Sequence, residues 1–304
     1  MNVPGISLTG YQYSYAILGD EDFVDTAVIF VHGFHGDSVK TWFQFQVLVR
    51  ELQESFPWWK SCDLYFWSFP SMETRILMGA QDLNGFIKAV YPRPRAGLLG
   101  SDLKVLKQLT GLGLSSIDIG QTRAYRKLLL VAHSQGAVLL RRVVLNAYNE
   151  RFITAATVGA GSSQQMPDYN VALLSAQLRL FAPALFGASP SGLYGFLIKF
   201  WLTRVVIEPF MATKAGFNDL QPSNLGLQQL LDDTQNAAER HRDISAFQAR
   251  VLFGKSEDIV HPGAYNCDTV EEYEQGKNHM TVCKPTREYT RPLSFVRYDD
   301  SGTR

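Results

Sequence analysis

The sequence predicts an α/β fold with a mostly parallel central sheet flanked by helices, and three observations carry that expectation. Short, almost wholly apolar runs alternate with segments whose apolar residues recur every three or four positions, which is how buried parallel strands and covering helices read. One such run, residues 128–132, passes through Ala132-His133-Ser134-Gln135-Gly136 into an amphipathic stretch, so a strand, a sharp turn and a helix follow in direct succession. The composition supplies the core, with 46% hydrophobic and 19% charged residues, too little charge for global disorder.

Taken in order, Ile6 to Leu18 alternates loosely between aromatic or β-branched and polar residues and predicts one or two edge strands. Thr26 to His32 is a buried strand stopped by Gly33. Val39 to Phe56 is helical, with Trp42, Phe45, Leu48 and Leu52 on one face and Pro57 ending it. Cys62 to Phe69 is a second buried strand, and Met72 to Val90 a helix carrying Ile76, Ala80, Leu83 and Ile87. The YPRPR segment, residues 91–95, is a connector. Leu128 to Ala132 is the third strand. Ala137 to Tyr148 is a helix whose Arg141 and Arg142 suggest a solvent face opposite Val138 and Leu139. Further strands are expected at 178–185 and 249–254.

Lys plus Arg and Asp plus Glu both number 29, so no basic excess points to nucleic acid and no acidic tail is evident. The three cysteines, Cys62, Cys267 and Cys283, form no disulfide framework and suit a reducing compartment. The N-terminal residues lack the basic and apolar regions of a signal peptide, and the most apolar stretch, residues 192–211, is interrupted by Lys199, Arg204 and Glu208. A cytoplasmic location is therefore expected, with no spanning helix.

The chemistry concentrates in four segments. In the first, a serine between small residues at a strand-to-helix turn has its hydroxyl lifted above the sheet edge, and the helix N-terminus offers free N–H groups there. Gly136 provides the second small position around Ser134, and Ala132 stands at the first. The next segment is Val31-His32-Gly33-Phe34-His35-Gly36-Asp37 at the first buried strand's end, a glycine-containing loop able to turn an N–H toward a reacting oxygen. With the residue after the serine it would form an oxyanion hole from Phe34 and Gln135. No carboxylate at ligand spacing accompanies His32 and His35, so no metal is expected, and His32 reads as a loop brace. A third segment, Lys277-Asn278-His279-Met280-Thr281, places a histidine on a late loop. Of the six histidines His279 is best positioned as base, with His261 second and His241 in the charged run AERHRD expected to be solvated. Last comes Gly254-Lys255-Ser256-Glu257-Asp258-Ile259-Val260, which ends a strand with two adjacent acids, either of which suits a histidine-orienting role.

These segments, in the order serine, acid, histidine, resemble the α/β-hydrolase superfamily from about residue 26 to 285. Within it, VHGFHGDSVKTW, VAHSQGAVLLRR and GKNHMTVCKP look closest to the lipase- and esterase-like branch that includes the GPI inositol-deacylase relatives. The resemblance implies one α/β-hydrolase domain over residues 1–304, Ser134 as nucleophile, His279 as base, and Phe34 and Gln135 as oxyanion donors. Two departures stand out: the elbow lacks its first glycine, and the acid is open. The usual strand-end spacing, glycine, two residues, acid, two residues, valine, puts Glu257 on the acid position without a gap, whereas Asp258 needs a one-residue bulge. Both remain candidates.

The expected activity is hydrolysis of a carboxylic ester, with an apolar or lipid-like acyl group and no cofactor. Residues 186–225 would form a cap: Phe186, Leu193, Tyr194, Phe196, Leu197, Phe200, Trp201 and Phe210 cluster there, suited to an acyl chain or, equally, to completing the core. The competing expectation is a non-catalytic α/β-hydrolase-like binding protein, or one whose apolar 186–212 stretch contacts a membrane peripherally. The sequence leaves the oligomeric state open.

Overall fold

In the computed structural model, which describes residues 5–19, 24–99, 123–153, 168–189 and 214–299, the apolar runs form one eight-stranded sheet. The strands are β1 (Ile6–Ser7), β2 (Tyr15–Ile17), β3 (Thr26–Val31), β4 (Cys62–Trp67), β5 (Lys127–His133), β6 (Gln177–Phe181), β7 (Arg250–Gly254) and β8 (Val270–Glu274). Their order is β1-β2-β4-β3-β5-β6-β7-β8. β1 and β2 pair antiparallel, as do β2 and β4, and every later pairing is parallel. This is the α/β-hydrolase fold.

The helices are α1 (Ser38–Glu51), α2 (Ile76–Val90), α3 (Gln135–Tyr148), α4 (Asp168–Leu174), α5 (Ala215–Asp219), α6 (Leu225–Arg240) and α7 (Arg291–Phe295). β3 and β4 are buried along their whole length, which explains why they read as mostly apolar runs, Asp63 excepted, rather than alternating ones. Phe30 of β3 packs on Trp42 and Phe45 of α1 at ring distances of 5.2 and 5.3 Å, and Phe181 of β6 on Phe295 of α7 at 4.9 Å. The helix α1 starts where Asp37 Oδ1 accepts from the N–H of Val39 and Lys40, a side-chain N-cap.

Two expectations need correction. Arg141 does not face solvent: it is fully buried, donating to the Phe247 carbonyl at 2.9 Å and pairing with Asp268. The second is His241, which is half-buried and stacks on Phe152 at 4.1 Å. In both cases a charged neighbourhood in sequence gave no measure of tertiary cover. The strand β8, VEEYE, escaped notice because an edge strand needs few apolar residues and is protected by charge. Of the expected cap, residues 190–213, with Leu193, Tyr194, Phe196, Leu197, Phe200, Trp201 and Phe210, lie outside the described residues. Its described flanks return to the domain: Ala188 bridges to Val260, and its N–H donates to Leu220 O at 2.8 Å. Among the described residues no helix is long and apolar enough to cross a membrane.

Candidate active site

Ser134 sits between the end of β5 and the start of α3 with φ +54° and ψ −122°. A serine in that backbone conformation is strained, and such strain persists only where the surroundings over-determine it. Here they do. Ser134 N donates to Phe181 O at 3.1 Å, and its carbonyl accepts from Ala137 N and Ala184 N at 3.1 and 3.2 Å. The flanking small residues are required by close approach: a Cβ on Gly136 would lie 2.6 Å from His32 O, and one on Gly33 would lie 2.6 Å from Ser134 Cβ. The loop after β3 therefore lies directly against the serine. The amides of Phe34 and Gln135 have no hydrogen-bond partner among the described residues, and Gln135 opens α3, where unpaired N–H groups collect.

The loop after β3 is held by His32. Its Nδ1 donates to Gly33 O at 2.9 Å and its Nε2 accepts from Phe69 N at 3.1 Å, which fixes the neutral tautomer. Burial drives its pKa down to about 4. His35, at φ +55°, has its N–H on Ser71 Oγ at 3.0 Å. No group of metal-binding side chains occurs among the described residues.

His279 is buried, with Nε2 3.1 Å from Ser134 Oγ and Nδ1 3.0 Å from Glu257 Oε1. The loop is shaped by its own sequence: Asn278 Oδ1 accepts from the N–H of Met280 and Thr281, each at 3.1 Å, an Asx turn. Gly254 makes room for it, since a Cβ there would lie 2.4 Å from Lys277 O. Glu257 Oε1 also accepts from Ile259 N and Val260 N at 3.0 and 3.1 Å. Burial alone would raise this carboxyl's pKa. Its contacts with His279 and the two amides together hold it below the ordinary value, so it is ionised at neutral pH.

The structure thus brings Ser134, His279 and Glu257 together and leaves Asp258 exposed. His261 is also exposed, its N–H on Gly187 O at 3.1 Å. One contributor escaped the sequence reading. The fully buried ring of His133 places Nε2 2.9 Å from His279 O, so it donates to that carbonyl and ties the elbow to the histidine loop. Burial keeps it neutral, pushing its pKa well below the usual range. The one clue in sequence was its place beside the serine.

No protein-family model matches the chain, and no curated protein matches it in sequence. Solved structures do resemble it in shape. The phospholipase PlaB of Legionella pneumophila aligns over 76% of this chain at 14% identity and a TM-score of 0.42, and this chain spans only 38% of that one. A lipase-esterase related protein of Clostridium acetobutylicum aligns over 93% of this chain and 97% of its own, at 11% identity and 0.42. A soluble variant of the monoglyceride lipase of Saccharomyces cerevisiae aligns over 97% and 92%, at 12% identity and 0.44. At such values these likenesses carry nothing about the site, and the α/β-hydrolase fold is read from strand order and the serine turn.

Proposed function

We propose that the protein is a serine hydrolase that cleaves carboxylic esters through an acyl-enzyme on Ser134. The observation that carries this reading is the line from Ser134 Oγ to His279 Nε2 at 3.1 Å and from His279 Nδ1 to Glu257 Oε1 at 3.0 Å, ending on the strained serine at the elbow. His279 takes the hydroxyl proton as Ser134 attacks the ester carbonyl, and the Phe34 and Gln135 amides stabilise the oxyanion. The imidazolium then protonates the leaving alcohol. Water, deprotonated by the same histidine, releases the acid. Glu257 holds the tautomer and stabilises the imidazolium, while Asp258 plays no part in the reaction.

The substrate we favour carries an apolar acyl group. Phe34 and Phe217, both buried, stand 6.5 Å apart between ring centres beside the serine loop, and the apolar 186–212 stretch follows the turn at Ala184, whose N–H holds the serine carbonyl. The branch we favour is the lipase- and esterase-like one that includes the GPI inositol-deacylase relatives, which the three quoted segments resemble. Peripheral membrane contact and a cytoplasmic location fit the same reading. Turnover of p-nitrophenyl esters of rising chain length by wild type and Ser134→Ala tests it. Wild type should favour longer chains, since each buried methylene contributes about 0.8 kcal/mol, and the variant should lose on the order of 10⁶ in kcat. Near-normal turnover by Ser134→Ala would sink the proposal.

A further inference from the structure

The side chain of Gln135 has no part in the chemistry above, which uses only its backbone N–H. It is fully buried, yet neither Nε2 nor Oε1 has a hydrogen-bond partner among the described residues. Burying an amide with both ends bare is costly, and a group with neither its donor nor its acceptor satisfied calls for an explanation. Packing does not explain it. The rest of α3 buries mainly apolar side chains, among them Val138, Leu139 and Leu140, and a methionine of similar length would fill the position without that cost.

The surroundings of the amide are those of the oxyanion side of Ser134. Its Nε2 lies against Gly216 of α5, where a Cβ would stand 3.1 Å from Nε2 and 2.2 Å from Ser71 O. Ser71 Oγ accepts from His35 N, next to Phe34, and Phe217 faces the Phe34 ring. Gln135 directly follows Ser134 in the chain, and its amide lies beside the segment that braces the Phe34 loop. A bare carboxamide offers one donor face and one acceptor face at once. A hydroxyl matches both, accepting from Nε2 while donating to Oε1.

We propose that Gln135 is a specificity residue that reads a hydroxyl close to the scissile bond, so that the substrate class is a hydroxyl-bearing ester rather than a simple alkyl ester. This rests on the hydrolase reading above and sharpens it. The hydroxyl can sit on the alcohol or on the acyl chain, and two matched pairs separate these sources. One pair is a monoacylglycerol and the propyl ester of the same fatty acid; the other is a methyl 3-hydroxyalkanoate and the methyl alkanoate of equal length.

The experiment compares kcat/KM within each pair for wild type, Gln135→Met and Gln135→Leu, with Tm measured for all three. Wild type should favour the hydroxylated member of one pair by about tenfold or more, and the pair concerned names the source. Both variants should bring that ratio close to one, with Tm no lower than wild type, because each removes an unsatisfied amide. A wild-type ratio near one in both pairs overturns the inference and leaves the hydrolase reading intact. An equal loss on both members in the folded variants does the same. No turnover of any of the four esters by wild type strikes the hydrolase reading itself, and this inference with it.

Discussion

Near the N-terminal edge of the sheet, Asp63 of β4 is buried and surrounded: Arg123 Nε stands 3.1 Å away, the Tyr125 hydroxyl donates at 2.6 Å and Gly19 N at 2.8 Å. Arg179 of β6 is similarly tied, donating to Phe295 O, Arg297 O and Asp299 Oδ2 at 3.0, 2.9 and 2.8 Å. At the C-terminal edge the buried polar groups are under-used. Glu257 Oε2 and both ends of the Gln135 amide have no partner among the described residues. The first arrangement fastens chain segments to one another, and Arg123 Nε is the atom in it that meets its carboxylate as an ion pair without a hydrogen bond. In the proposed mechanism the second keeps polar atoms free for a reacting molecule, at a cost in stability that the rest of the fold absorbs.

Removing one carboxylate from each edge should therefore have opposite consequences. Glu257→Gln should cut ester turnover by on the order of 10⁴, through lost tautomer control and imidazolium stabilisation, with little change in Tm. Asp63→Ala should cost about 3 kcal/mol in urea unfolding, because it strands Arg123 with its charge largely out of water, while the folded fraction keeps its kcat. Asp258→Asn, at an exposed position, should alter turnover only a few-fold. Equal activity loss from Asp63→Ala and Glu257→Gln would erase the distinction between the edges.

Glycine substitutions sharpen the same contrast. Gly136→Ala drives a Cβ to 2.6 Å from one backbone carbonyl and 2.7 Å from another, so it should cost about 1–3 kcal/mol and most of the activity. Gly85→Ala, on an exposed face of α2 where a Cβ meets nothing within 4 Å, should instead stabilise by about 0.5–1 kcal/mol. Denaturant midpoints of the two variants check the opposite signs.

A smaller effect comes from pH. His32 is held down to about 4 and His133 well below its ordinary value, both through burial. Their unfolded forms take up protons below about pH 6.5 while the native forms stay neutral, so the unfolded state binds more protons in that window. Stability should be full above about pH 6.5 and fall as the pH drops towards 4. Tm across that range reads this directly, and a flat Tm would show that the two buried imidazoles are not held neutral.

Much of the frame was legible in the sequence because it depends on local pattern. β3, β4 and most of β5 are buried and so appear as largely apolar runs, with Asp63 the one acid inside them, and the serine turn announces itself through Gly136 and the helix that follows. What stayed hidden depends on contacts distant in sequence. The burial of Arg141 is set by Asp268 and Phe247, the stacking of His241 by Phe152, and the hold of His133 on the His279 loop by a carbonyl 146 positions away. The choice between Glu257 and Asp258 was open for a related reason. Adjacent side chains on an extended segment diverge, and only the placement of the histidine loop decides which one meets it.

The central claim is that Ser134 becomes covalently acylated with His279 as its base. Intact-mass measurement after exposure to a fluorophosphonate, followed by peptide mapping, tests it most directly. One adduct per chain on Ser134 is predicted, formed in wild type, greatly slowed in His279→Ala and absent in Ser134→Ala. An adduct on another residue, or labelling that persists unchanged in Ser134→Ala, would contradict the account.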